Sequence, residues 1–187
     1  MDVWLRVAER IDRFNERAGR VIYWCTFGMV LVGAFNTIIR YVDRFTGWGI
    51  SSNFYIELQW YLFSIVFLLA AAYTLKHDAH VRADVLYGYL SRKWKAWIDL
   101  VGTVVFMIPF CLFVLWVSWP AVRRSWEILE VSPDPGGLPR YPIKTVVLIA
   151  FFLLTTQAVS ETIKNIGIIR GVVDADEPDT EQQMEGV

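Results

Sequence analysis

"LVGTVVFMIPFCLFVLWVSWPAV", residues 100–122, runs for 23 positions without an Asp, Glu, Lys or Arg. A helix needs about 20 mostly apolar residues to cross a bilayer core of about 30 Å, so this stretch alone is long enough to span. Three further charge-free runs lie around it, at 21–39, 58–75 and 145–160. The last is short, but Lys144 and Lys164 at its edges can snorkel and extend it. One such run would fit a buried helix of a soluble protein; four leave too little polar surface for one. The sequence therefore reads as an all-α membrane protein with four transmembrane helices, interfacial amphipathic helices, and N- and C-termini in the cytoplasm. A membrane domain is expected over 1–170, with spans at about 20–41, 54–75, 97–119 and 143–164.

Orientation follows from where the basic residues fall. The start, the middle loop and the end together hold 12 Lys and Arg, against 6 on the other side. The positive-inside rule puts that richer side in the cytoplasm. The loop between spans three and four, "SPDPGGLPRYP" at 132–142, then faces outward, which in a bacterial inner membrane is the periplasm. Trp94 and Trp97 flank one end of the third span and Trp116 and Trp119 the other, as an aromatic belt requires. That span is expected to start near Arg92 behind a Ser91 cap, to kink at Pro109 and to stop at Pro120. The opening residues lack the apolar core and small-residue cleavage site of a secretory signal, so the first span is expected to be kept as an anchor.

Two segments have the contrast of helices that lie on a membrane. Residues 2–18 carry an apolar stripe of Trp4, Val7, Ile11, Phe14 and Ala18, with charges opposite. Such a helix can lie in the interface, apolar face down, or pack on a partner helix. Residues 79–90 have a similar rhythm. The segment 171–187 has six acids and no base, and is expected to be disordered.

The residues show no self-contained chemistry. His77 and His80 sit at the cytoplasmic edge beside Asp78, Arg82 and Asp84, and read as solvated rather than as ligands. Cys25 and Cys111 each fall inside a span, in no metal or redox spacing. No cofactor, metal or catalytic residue is expected, and with a net charge of −1 nothing points to nucleic acid. A charge deep in a span would mark an ion path, and none is present. Glu57, near the outer end of span two, reads either as a hydrated interfacial residue or as a contact for a partner's cation. Gln157, among Thr155, Thr156 and Ser160, reads as polar glue between helices. Arg82 and Asp84, two apart, need not face each other and can each meet a different element. This inventory suits association with a partner better than transport by the chain alone. A redox subunit of cytochrome or quinone type and a small drug exporter are the alternatives.

"HVRADVLYGYLSRKWKAWIDLVG" after span two and "GGLPRYPIK" before span four resemble the small membrane subunit (DctQ-like) of tripartite ATP-independent periplasmic (TRAP) transporters. The resemblance rests on His80, Arg82 and Asp84, on Gly136, Gly137, Leu138 and Pro139, and on Tyr141 and Pro142 to Lys144. Ala158, after Gln157, departs from the glycine expected there. The resemblance implies a non-enzymatic accessory subunit of a sodium-driven transporter for organic acids. It implies two protein partners, a large membrane subunit (DctM-like) and a periplasmic substrate-binding protein (DctP-like), besides membrane lipid. Glu57, His80, Arg82, Asp84, Gly136, Gly137, Leu138, Pro139, Lys144 and Gln157 are the candidate partner-interface residues. A proline-stiffened loop loses little freedom on docking, so residues 131–142 are expected to form an ordered outer surface.

Overall fold

The structure is a computed structural model and describes residues 2–77 and 90–172. Those residues form helices joined by two ordered loops, with one isolated bridge between Val131 and Pro139. Four helical stretches are long and apolar enough to cross a membrane: Val3–Thr46, Asn53–Lys76, Lys93–Glu127 and Arg140–Ile169.

What is buried and what is exposed fits a bundle with apolar surroundings. The buried residues are mostly small or polar: Ala72, Ala96, Cys111, Ala150, Ala158, Asn15, Gln157 and Ser160. Large apolar side chains such as Trp24, Phe67, Phe106 and Trp116 face outward. Small residues let helix backbones approach, and polar ones bind across the seams, where the surroundings are as apolar as leucine.

Helix α1 (Asp2–Thr46) is one unbroken element of 45 residues. The sequence led us to expect an interfacial helix at 2–18 and a separate span from about 20; no break divides them. No proline falls between these positions, so nothing interrupts the backbone ladder. At 1.5 Å per residue, α1 is about 67 Å long, twice the bilayer core. It ends where Gly47 and Gly49 take positive φ, and Asp43 accepts the Ile50 and Ser51 amides at 3.0 and 3.2 Å. Ser52 then caps α2 (Asn53–Lys76) by accepting the Phe54 amide. The two helices run antiparallel at close quarters. A Cβ added to Gly19 would lie 2.3 Å from the Tyr73 ring, and one added to Gly33 would lie 2.9 Å from Gln59.

The third span combines α3 (Arg92–Val101), a π-helical stretch (Gly102–Met107) and α4 (Ile108–Glu127). The Ile108 amide donates to the Thr103 carbonyl, five residues back. This wider turn sits just before Pro109, whose ring nitrogen has no proton for the Val105 carbonyl. Pro120 does not end the helix, contrary to expectation; α4 continues through it to Glu127. The cost is one missing donor, and packing past it holds the extra turns. Val122 and Ser125 are buried, and the Trp126 indole donates to Thr145 Oγ1 at 2.8 Å. The fourth span, α5 (Arg140–Ile169), lies at the centre of the bundle and touches α1, α2, α3 and α4. Ala158 is fully buried there, so the extra methyl is accommodated within the seam.

Candidate partner-docking site

The loop between α4 and α5 is built as a closed hairpin. α4 ends in a Schellman turn: the Glu130 amide donates to Ser125 O at 3.0 Å and the Leu129 amide to Trp126 O at 3.2 Å. The left-handed position of that turn, normally glycine, is Leu129, with φ of 46°. Beyond it the Ser132 amide reaches Leu138 O at 3.2 Å, and the Arg140 amide reaches Glu130 O at 2.7 Å. Gly137 N bonds to Asp134 O, and Gly136 supplies the positive φ that the tip requires.

Glu57 on α2 fastens this hairpin from beneath. Its carboxylate accepts the Leu138 amide and the Ser132 hydroxyl, with Arg140 Nη2 3.7 Å away. Ser132 Oγ in turn accepts the Asp134 amide at 3.2 Å and Arg140 Nη2 at 3.3 Å, so its one donor and two lone pairs are all used. The Tyr61 hydroxyl, one turn on, donates to Pro139 O at 2.9 Å. Glu57 is 2% exposed, so this carboxylate is enclosed within its own chain. That corrects the reading of Glu57 as a hydrated interfacial residue; the cation beside it here is Arg140 of its own chain. Gly137 is required by the same closeness: a Cβ there would meet Ser132 Cβ at 2.5 Å and Glu57 Oε2 at 2.7 Å.

A second bond set ties the hairpin to α5. Glu130 binds Lys144 Nζ and accepts the Ser125 hydroxyl at 2.7 Å. The Lys144 ammonium, then the Ser125 hydroxyl, hold the Glu130 carboxyl below its ordinary value of 4.5. The Arg140 guanidinium lies 5.4 Å over the Trp60 ring.

About 25 Å further along α5, at 1.5 Å per residue, a second polar knot joins α1 to α5. Gln157 accepts from Asn15 Nδ2 at 2.6 Å and donates to Asp12 Oδ1 at 3.0 Å and Glu161 Oε1 at 3.1 Å. Ser160 donates to Asp12 at 2.8 Å, and Lys164 pairs with Asp12 at 2.6 Å. Beside it Glu16 takes Lys76 at 2.6 Å and His77 at 3.0 Å. The face of α1 that enters the bundle is thus the polar one.

The family model for "Tripartite ATP-independent periplasmic transporters, DctQ component" matches residues 29–167. The chain belongs to the DctQ family. No curated protein and no solved structure matches it. The family is a transporter component rather than an enzyme family, and the match gives no support to the redox-subunit or drug-exporter alternatives.

In this DctQ chain, five of the ten candidate residues meet at one place: Glu57, Gly136, Gly137, Leu138 and Pro139. Lys144 joins them through Glu130. Gln157 belongs to the distant knot. His80, Arg82 and Asp84 lie outside the described residues, as do 79–89 of the expected second interfacial segment and the tail from 173. Sequence reasoning missed Ser132 and Tyr61, which carry no local signal because their partners are far away in the chain, and Glu130, whose partners Ser125 and Lys144 are brought to it by the turn that ends α4. It also missed Asp12 and Asn15. Their spacing with Ala8, Glu16 and Gly19 marks one helix face and could have been found.

Proposed function

We propose that this DctQ chain is the accessory subunit of a sodium-driven, binding-protein-dependent transporter for organic acids in a bacterial inner membrane. It braces the large carrier subunit with its outward apolar helix faces. With both termini cytoplasmic, the α4–α5 hairpin stands on the periplasmic side and helps form the surface on which the substrate-binding protein docks.

One observation carries the docking role. The hairpin is held rigid from inside by Glu57, while its apolar residues point away from the bundle. Ile128, Leu129 and Val131 are 62%, 60% and 69% exposed, a patch set on a fixed base. Leu129 keeps a left-handed backbone that glycine would adopt at lower cost. At the same point of the turn that ends α5, the residue is Gly171, with φ of 68°. Backbone strain of this kind clusters at ligand clamps and switch regions, which supports a contact role for this turn.

The test is co-purification and uptake with the complete transporter. Ile128→Asp with Val131→Asp should leave the large subunit bound and reduce uptake driven by the binding protein. A flexible Gly/Ser replacement of Gly136 to Pro139 should do the same. Unchanged uptake in both variants would remove the docking role. Failure of the tagged chain to bring down a large polytopic partner would remove the bracing role.

A further inference from the structure

The first five turns of α1 carry three faces, and the structure accounts for one of them. Ala8, Asn15 and Gly19 are buried, with Asp12 and Glu16 bonded beside them. Trp4 and Phe14 remain 63% and 59% exposed, with Val7 between them. Arg10, Arg13, Arg17 and Arg20 follow at steps of three and four, all exposed, in one row about a third of a turn from the apolar stripe.

Sequence alone hides the charge of this segment. Residues 2–20 hold five arginines and four acids, close to balance. The fold separates them. Asp12 turns into the bundle and meets Lys164 at 2.6 Å; Glu16 does the same with Lys76 at 2.6 Å and His77 at 3.0 Å. Two of the acids are therefore compensated by cations of α5 and α2, and the outward row keeps its positive field. Glu9 is an acid beside the row, and its backbone carbonyl accepts Arg13 Nε at 3.4 Å.

We infer that this arginine row binds the phosphate groups of anionic phospholipids. Arg20 stands next to Val21, where the first charge-free run begins, so the nearest anions along the row are headgroup phosphates. Guanidinium groups match phosphate oxygens in pairs. Basic clusters at the end of a span, or on an amphipathic helix, attract acidic lipid. The inference rests on the reading of the four helices as membrane spans, and not on which side faces the cytoplasm.

The purified chain in detergent is offered equal amounts of phosphatidylglycerol and phosphatidylcholine, and bound lipids are counted by native mass spectrometry. In detergent all faces are accessible, so orientation does not enter. The natural chain should retain phosphatidylglycerol preferentially. Changing Arg10, Arg13, Arg17 and Arg20 together to Gln should lower that preference by about tenfold or more. Changing the same four to Lys should keep most of it, and Arg123→Gln with Arg124→Gln at the other end should leave it unchanged. Circular dichroism shows whether each variant is folded. No preference in the natural chain, or equal preference in the Gln variant, overturns the inference. So does a Gln variant that loses the large subunit while keeping the lipid. Release of the natural chain from membranes by alkaline carbonate would instead overturn the membrane reading itself.

Discussion

The bundle has a polar knot at each end, and the two are built from different atoms. Around Glu57 a single carboxylate holds backbone: the Leu138 amide directly, and the hairpin through Ser132. Around Gln157 side chains hold other side chains, from Asn15 and Asp12 to Glu161. A backbone amide cannot be replaced or repositioned without moving the chain, whereas a side-chain network can rearrange around a lost member. The difference teaches that the hairpin end is rigid and intolerant, and the opposite end adaptable.

Glu57→Leu should have the largest effect and tests that contrast directly. It leaves the Leu138 amide and the Ser132 hydroxyl without their acceptor and removes the carboxylate that faces Arg140, at a cost of about 3 kcal/mol or more. A lowered unfolding temperature in detergent and rapid protease cleavage within 131–139 are expected. An intact, protected hairpin in that variant would break the comparison. Gly137→Ala should follow, at about 2 kcal/mol, because the added methyl must push Ser132 off the carboxylate. The same cleavage assay reads it.

Gln157→Leu at the other end should cost less, about 1 kcal/mol, since Lys164 still compensates Asp12. Thermal unfolding of this variant beside Glu57→Leu gives the ratio that sharpens the comparison. A loss equal to that of Glu57→Leu would mean that the two knots are alike.

Leu129→Gly should move stability the other way, raising it by up to about 1 kcal/mol through relief of the left-handed backbone. If Leu129 serves docking, uptake falls while the unfolding temperature rises.

The smallest effect concerns pH. Glu130 has a lowered folded pKa, so its contribution is complete above the ordinary value of 4.5 and is lost as pH falls through the lowered value. Lys144→Gln should bring the Glu130 titration midpoint, followed by NMR, back up toward that ordinary value.

Much of the fold was legible because bilayer crossing depends on composition over a window. The four charge-free runs coincide with the four spanning helices, and no tertiary contact is needed to see that. Boundaries set by packing were not legible in this way. Pro120 carries a helix-stopping signal, yet the burial of Val122 and Ser125 beyond it carries α4 to Glu127. The apolar stripe at Trp4, Val7 and Phe14 was legible from its spacing, but that the polar side of the same helix enters the bundle was not. In a seam between membrane helices, hydrogen bonds distinguish one neighbour from another, while apolar surface finds equal company in lipid.

The candidate site divides along the same line. The pattern Gly136, Gly137, Leu138, Pro139 announced a stiff loop, because proline and glycine act on their own backbone. Its anchor was invisible, since Glu57 lies 81 positions before Leu138 and nothing local pairs them.

The sequence was sufficient to show four segments long and apolar enough to cross a membrane and a conformationally restricted loop between the last two. Both are properties of short windows, set by transfer free energy and backbone sterics. Only the tertiary structure decided that Glu57 closes the hairpin from within and that Asp12 and Glu16 turn inward, leaving an arginine row outside. Those outcomes depend on which distant groups share a level of the bundle, and that is fixed by helix register.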